Sequence, residues 1–262
     1  IGTTRINAAF NSGPGLLVKT IETNLGISVN HFMVLNFFSF TKIADALGGV
    51  YQYFPVPARD LWSNLLVTRA GCILLKGSQA LAFVRSREYE YYLDGGWHYQ
   101  LVPESDLARI QRQQDFVKLA IKKADHVGLT NPIALNDVVA GVTNSLIVDS
   151  GFSNSLMLSL ARSLRHANVV GIPTWTYPTV NSTAVPGALD PVPSEDQRVI
   201  SEFMSYGLPA KSAADPPAAR SDPPAARSAP PVTATPDSSS YYEGRYIPPG
   251  LQPGQVPEVC PT

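Results

Sequence analysis

Apolar residues follow two alternating patterns over the first 206 positions, some at helical spacing and some in short continuous runs. A helix is predicted from Pro14, which suits a first helical position, to Gly26, which ends the apolar run. Further helices are predicted over residues 39–47, 78–81, 105–125, 132–147, 154–164 and 194–206, the last from a capping-box pattern at its start. Strands are predicted at Ile27–Phe37, Val50–Val56, Ala82–Arg87 and Val169–Ile172. This alternation favours an α/β sheet covered on both faces.

The composition changes after Tyr206. Residues 207–262 hold 13 of the 23 prolines, and the segment Asp215–Ser221 repeats at once as Asp222–Ser228. A repeat of proline, alanine and isolated charges cannot build a core. The chain is therefore predicted to have three parts, a domain over 1–206, a Pro/Ala-rich disordered linker over 207–240 and a tail over 241–262 that docks back through Cys260.

Charge and residue counts exclude several classes of protein. The net charge of −1 argues against broad, non-specific nucleic-acid binding. No run of about 18 apolar residues is present to span a membrane, and the four histidines fit no metal-ligand spacing. The two cysteines, Cys72 and Cys260, suggest one disulfide in an exported protein and two unrelated thiols in a cytosolic one.

Basic and polar residues cluster at the end of one predicted strand and the start of the longest predicted helix. Arg85 and Arg87, two positions apart on a strand, would share a face. On the helix, Asp106, Arg109 and Gln113 form one stripe that borders the apolar face. A charged group that leans toward the core needs a partner, because an unpaired buried charge is costly.

The residues alone leave two interpretations of this cluster open. A structural ion-pair network would join Asp106 to Arg87 or to Arg109. An anion pocket would use up to four guanidinium groups, which outnumber the single carboxylate and whose N–H groups match phosphate oxygens. A diphosphate, with or without Mg²⁺, would balance that positive charge.

Four segments resemble, in the same order, the motifs of the LytR-CpsA-Psr family. Residues 5–10 and 13–14 are similar to its opening K-I-N-A-A-Y and G-G-P, and residues 47–50 to its L-G-G-V. Residues 75–87 resemble L-x-G-x-Q-A-L-x-Y-V-R-x-R, and residues 106–114 resemble D-x-G-R-x-x-R-Q-Q. The glycine–cysteine pair before the third motif and the cysteine near the C-terminus further resemble actinobacterial members. The cysteine count and the aromatic residues of the tail predict a disulfide between Cys72 and Cys260.

The resemblance implies a three-layer α/β/α sandwich around a mixed central sheet. It also implies a phosphotransferase that moves a glycopolymer from a polyprenyl-diphosphate carrier to peptidoglycan through a phosphodiester link. Such an enzyme works outside the cytoplasm, at the cell membrane or cell wall, and the actinobacterial features favour arabinogalactan as the glycopolymer. The alternative is a non-catalytic module that binds polyprenyl diphosphate or acts as a cell-wall adaptor.

The same resemblance assigns roles to the clustered residues. The residues expected to hold the diphosphate are Arg5, Arg85, Arg87, Arg109 and Gln113. Asp106 is expected to orient an arginine, and with Arg109 it forms the expected catalytic pair.

The resemblance also implies Mg²⁺. The chain begins at the opening motif, whereas family members carry upstream of it a membrane anchor and a strand whose Asp and Arg residues help bind metal and phosphate. The sequence is therefore interpreted as N-terminally truncated, with the metal ligands, the N-terminal strands and the anchor expected upstream of Ile1.

Overall fold

The computed structural model describes residues 4–99, 105–126, 146–164, 169–206, 241–242, 245–246 and 260–261. The predicted linker lies outside these residues, and so does most of the helix predicted over 132–147. Among the described residues, no helix combines the length and the apolar character needed to cross a membrane.

The described residues form α-helices, two short 3₁₀ helices and strands that alternate along the chain, which confirms the α/β class. The α-helices are α1 (Pro14–Leu25), α2 (Phe37–Ala46), α3 (Gly77–Arg85), α4 (Ser105–His126), α5 (Asn154–Leu164) and α6 (Pro193–Ser205). The 3₁₀ helices are Ile6–Ser12 and Val169–Gly171. The strands are β1 (Met33–Leu35), β2 (Val50–Phe54), β3 (Ala58–Asp60), β4 (Leu65–Val67), β5 (Gly71–Leu75), β6 (Glu90–Leu93), β7 (Gly96–Tyr99), β8 (Leu146–Val148), β9 (Thr179–Asn181), β10 (Leu189–Pro191), β11 (Tyr241–Tyr242) and β12 (Arg245–Tyr246).

Every strand pair among the described residues is antiparallel. The largest sheet has the order β4-β3-β6-β7, and the other strands pair as β2–β5, β1–β8, β9–β10 and β11–β12. In the β2–β5 pair, Val50 lies opposite Leu75 and Phe54 lies opposite Gly71. Val50, Phe54 and Leu75 are buried, so this pair forms one wall of the core.

Helices α2, α3 and α4 pack beside this wall. The ring of Phe83 on α3 meets Phe54 edge-on at a centroid distance of 5.6 Å. Phe40 on α2 meets Phe116 on α4 at 5.3 Å. Because α3 also packs on both α2 and α4, the C-terminal end of α3 is held beside α4, and these two segments carry the predicted arginines.

The strand predicted at Ala82–Arg87 is wrong, because α3 continues to Arg85. Ala80, Phe83 and Val84 are buried at positions i, i+3 and i+4, on one face of the helix. A short apolar run fits a buried strand and a buried helical segment equally well, so periodicity could not separate the two. Arg85 and Arg87 therefore share no strand face, and the prediction that placed them on one face is wrong.

Several other boundaries also differ from the predictions. The strand predicted at Ile27–Phe37 is limited to β1, because Asn36 ends it and caps α2 by accepting a hydrogen bond from the Ser39 N–H at 2.8 Å. The sequence predicts Ser39 as the cap, but the Asn36 side chain takes this role. Because Asn36 lies three residues earlier, α2 begins at Phe37.

Three details near the C-terminal end of the domain differ from the predictions. Val169–Gly171 forms a 3₁₀ helix rather than a strand. Helix α6 follows Val192 with no side-chain cap, so the capping box is absent, and Pro193 occupies the first turn instead. Residues 146 and 147, predicted as the end of a helix, belong to β8. The helices predicted at α1, α2, α4, α5 and α6 are confirmed, and the short helix predicted over 78–81 lies within α3.

The two cysteines form a disulfide. Cys72 in β5 is bonded to Cys260, with a Cα–Cα distance of 5.6 Å. The predicted pairing is confirmed, and it fixes the C-terminal end of the chain to the wall of the core.

Candidate functional site

The candidate site lies where the chain leaves α3 and passes α4. The residues after α3 turn around a buried carboxylate, Asp60, at the end of β3. Its Oδ2 accepts hydrogen bonds from the Ser86 hydroxyl at 2.6 Å and from the N–H groups of Arg87 and Glu88 at 3.0 Å each. These three bonds fix the backbone that carries Arg87.

The other oxygen of Asp60 holds the turn between β3 and β4. Its Oδ1 accepts from the N–H groups of Trp62 at 2.8 Å and Ser63 at 2.9 Å. Burial raises the pKa of Asp60, but the hydrogen bonds from Ser86 and the backbone outweigh it and hold the pKa below its usual range. Asp60 is therefore ionised at neutral pH, and sequence reasoning did not identify it as a site residue.

Two arginines share one carboxylate oxygen at the start of α4. Asp106 Oδ1 accepts from Arg87 Nε at 2.7 Å and lies 3.1 Å from Arg109 Nη2. Arg87 and Asp106 are about half-exposed, whereas the Arg109 side chain is 26% exposed. The structure thus contains both ion pairs of the structural interpretation. They do not exclude an anion pocket, because two guanidinium groups face a single carboxylate.

One N–H donor among Arg87, Asp106 and Arg109 has no hydrogen-bond partner among the described residues. Arg109 Nε is buried and has no hydrogen-bond partner among the described residues. A buried donor without a partner is costly, and in native proteins it needs an explanation such as a bound ligand, ion or water.

Arg112 and Gln113 fasten α4 to the end of α3. Arg112 Nη2 donates to the carbonyl of Ser86 at 2.6 Å, and its guanidinium lies 5.0 Å from the ring centroid of Tyr89. Gln113 Nε2 donates to the carbonyl of Val84 at 3.0 Å. Burial raises the pKa of Tyr89, while the charge of Arg112 acts in the opposite direction. These contacts join α4 to the end of α3, and the role of Gln113 toward a diphosphate stays a prediction.

The remaining two candidates lie at the edges of the site or apart from it. The guanidinium of Arg85 stacks over the exposed ring of Phe37 at 4.4 Å. Arg5 donates to the carbonyl of Gly187 at 2.8 Å, in the loop between β9 and β10. In the part of the chain that the structure describes, no hydrogen bond, ion pair or ring contact joins Arg5 to the other candidates.

The described residues contain no group of three or more His, Cys, Asp or Glu side chains that could hold a metal ion. The carboxylate of the cluster, Asp106, already faces two guanidinium groups through one oxygen. The Mg²⁺ implied by the resemblance stays a prediction.

Comparisons with known proteins agree with the motif assignment. The family model described as the LytR_cpsA_psr family matches residues 1–196. The probable cell wall biosynthesis protein LcpB of Corynebacterium glutamicum is 29% identical over 179 residues, which are 68% of this chain and 39% of LcpB. The cell wall biosynthesis protein LcpA of the same organism is 28% identical over 183 residues, 70% of this chain and 32% of LcpA. The chain thus spans less than half the length of these relatives.

The fold is also similar to solved structures. A LytR-Csp2A-Psr enzyme from Actinomyces oris superposes with a TM-score of 0.65 at 27% identity, over 78% of this chain and 74% of that one. The family model covers most of the sequence and includes the Arg87–Asp106–Arg109 cluster. The chain belongs to the LytR-CpsA-Psr family.

Proposed function

We propose that the Arg87–Asp106–Arg109 cluster binds the diphosphate of a polyprenyl-linked glycopolymer, and that the chain transfers this glycopolymer to peptidoglycan. The observation that carries the proposal is the buried Nε of Arg109, which has no hydrogen-bond partner among the described residues although Nη2 of the same guanidinium is paired. Family membership supports it, as do the names of LcpA and LcpB as cell wall biosynthesis proteins.

The charges of the cluster favour an anionic ligand. Arg87 and Arg109 together carry two positive charges, and Asp106 carries one negative charge and faces both arginines through a single oxygen. The cluster therefore keeps a net positive charge. A diphosphate supplies several acceptor oxygens, and the forked guanidinium groups can bind them in pairs. Asp106 therefore serves to orient both arginines, while Arg85 at the end of α3 extends the positive surface. Direct contact of the diphosphate with Arg5 and Gln113 is also proposed.

The reaction transfers a phosphoryl group. A hydroxyl of peptidoglycan forms a new O–P bond to the phosphorus that carries the glycopolymer, and it gives up its proton to solvent. The P–O bond to the second phosphate breaks, and polyprenyl phosphate leaves. The arginines stabilise charge on the transferred phosphoryl group, so catalysis rests on positioning and electrostatics. The proposed location is outside the cytoplasm at the membrane or wall, with arabinogalactan as the preferred glycopolymer.

Calorimetric titration with inorganic diphosphate and a glycopolymer transfer assay test the proposal together. Arg109→Ala should weaken diphosphate binding by about ten- to a hundredfold, the effect of losing one charged hydrogen bond. The matched control is Arg198→Ala, because Arg198 lies exposed on α6 and pairs with Glu202 at 2.8 Å. Equal binding by both variants would contradict the anion pocket. Binding without transfer would favour the non-catalytic module instead.

A further inference from the structure

One face of the β4-β3-β6-β7 sheet carries a group of aromatic and charged side chains. Residues that lie directly opposite each other on antiparallel strands share a face, and so do residues two apart on one strand. The register pairs Arg59 with Glu90, Glu90 with Tyr99, and Tyr92 with Trp97, so all five share one face. We call these five residues the aromatic face. Tyr99 is 61% exposed and Tyr92 is 39% exposed, so both rings are accessible to a ligand.

The side chains of the aromatic face hold one another in place. The guanidinium of Arg59 stacks over the ring of Trp97 at 4.2 Å, and Arg59 Nε donates to the carboxylate of Glu90. The ring of Trp97 in turn meets the ring of Tyr92 edge-on at a centroid distance of 5.2 Å. These contacts fix the ion pair and the rings in advance, so a ligand binds them at little cost in side-chain ordering.

The ion pair of the aromatic face keeps hydrogen-bond donors available to a ligand. Arg59 uses its Nε for Glu90, and among the described residues its two Nη groups have no hydrogen-bond partner and are not buried. One guanidinium and one carboxylate together carry no net charge. The face therefore suits a neutral ligand that is rich in hydroxyl groups, and it offers no excess charge to a phosphate or to an anionic lipid.

A saccharide matches this combination of groups. A pyranose ring presents C–H groups on its face, and these pack on aromatic rings, whose faces carry partial negative charge. Its hydroxyl groups bond to charged and polar side chains at the ring edge. Tyr92 and Tyr99 are diagonal neighbours across β6 and β7, about 7–8 Å apart. One glycan strand of two or more rings can therefore contact both tyrosines.

We propose that the aromatic face binds the neutral glycan strand of peptidoglycan and so holds the acceptor of the transfer reaction. The role as acceptor site rests on the proposed function, in which peptidoglycan receives the glycopolymer. Arg87 and Glu90 are three positions apart, so their backbones lie within about 10 Å of each other. A glycan strand on the face therefore lies near the arginine cluster, as an acceptor must.

Sedimentation with purified peptidoglycan, stripped of attached glycopolymers, tests the proposal. The wild-type chain should sediment with it, and a neutral β-1,4-linked N-acetylglucosamine oligomer should release the chain. Tyr99→Ala should weaken binding about three- to tenfold, because one stacking ring is lost. Tyr99→Phe should bind like the wild-type chain, since the ring remains. The matched control is Tyr206→Ala, because Tyr206 is 50% exposed at the end of α6 and lies outside the sheet.

Three results would overturn the proposal. Equal binding by Tyr99→Ala and the wild-type chain, both folded by circular dichroism, would show that the face does not touch the glycan. Release by inorganic diphosphate rather than by the neutral oligomer would assign the binding to the arginine cluster. Absence of peptidoglycan binding, with self-association that Tyr99→Ala abolishes, would assign the face to a second copy of the chain. Failure of the proposed function appears instead as absence of diphosphate binding in calorimetry, so the two failures are distinguishable.

Discussion

Replacement of Asp60 by Asn should strongly destabilise the domain. The carboxylate is buried and accepts five hydrogen bonds, three on Oδ2 and two on Oδ1. An Asn side chain keeps one acceptor oxygen and turns an N–H₂ group toward donors, so at least two bonds are lost and the donors oppose each other. We expect a loss of about 3–5 kcal/mol in the free energy of unfolding, as when one partner of a buried charged group is removed.

The same variant should change the pH dependence of stability. The folded pKa of Asp60 lies below its unfolded value, which is about 3.9 for an aspartate. Its ionisation therefore adds stability that is fully present above about pH 4 and is lost as the pH falls through the lower folded pKa. The difference in stability between the wild-type chain and Asp60→Asn should narrow in acid.

Urea denaturation at pH 7 and at lower pH, followed by circular dichroism, measures both effects. The matched control is Asp94→Asn, because Asp94 lies in the β6–β7 turn at φ 51°, a conformation that Asn accommodates as well as Asp. A loss below about 1 kcal/mol for Asp60→Asn, less than one charged hydrogen bond contributes, would refute the reasoning. A difference that stays constant as the pH falls would refute the assigned ionisation.

Three further changes test other parts of the fold by urea denaturation. Reduction of the Cys72–Cys260 bond, whose cysteines are 188 positions apart, should lower stability by up to about 5 kcal/mol, and unchanged stability would contradict a native crosslink. Gly77→Ala should cost about 1–3 kcal/mol, because φ is +34° and a Cβ would lie 2.8 Å from the carboxylate of Asp45. Asn36→Ala should cost about 1 kcal/mol through loss of the cap of α2, and a neutral result would show that the cap is replaceable.

The long helices could be predicted from the sequence because local spacing decides them. Helix α4 has 22 residues and an apolar stripe with polar neighbours, so its start and its end follow from the sequence. Strand and helix could not be separated at Ala82–Arg87, since only packing against α2 and α4 selects the helix there.

The candidate site could be predicted only in part, for the same reason. Asp106 and Arg109 lie three apart on one helix, so their pairing follows from helix geometry. Asp60 is different, because its partners Ser86, Arg87 and Glu88 are 26 to 28 positions away along the chain. The sequence signals at most the local turn at Trp62 and Ser63, where an Asp commonly accepts from the following N–H groups.

Native mass spectrometry with a polyprenyl diphosphate tests the central claim most directly. The wild-type chain and the Arg198→Ala control should each retain one lipid, and Arg109→Ala should lose it, because the proposed function assigns the diphosphate to the guanidinium of Arg109, whose buried Nε has no partner among the described residues. Equal retention by Arg109→Ala, or no retention by the wild-type chain, would contradict the account and leave Arg87, Asp106 and Arg109 as a structural ion-pair network.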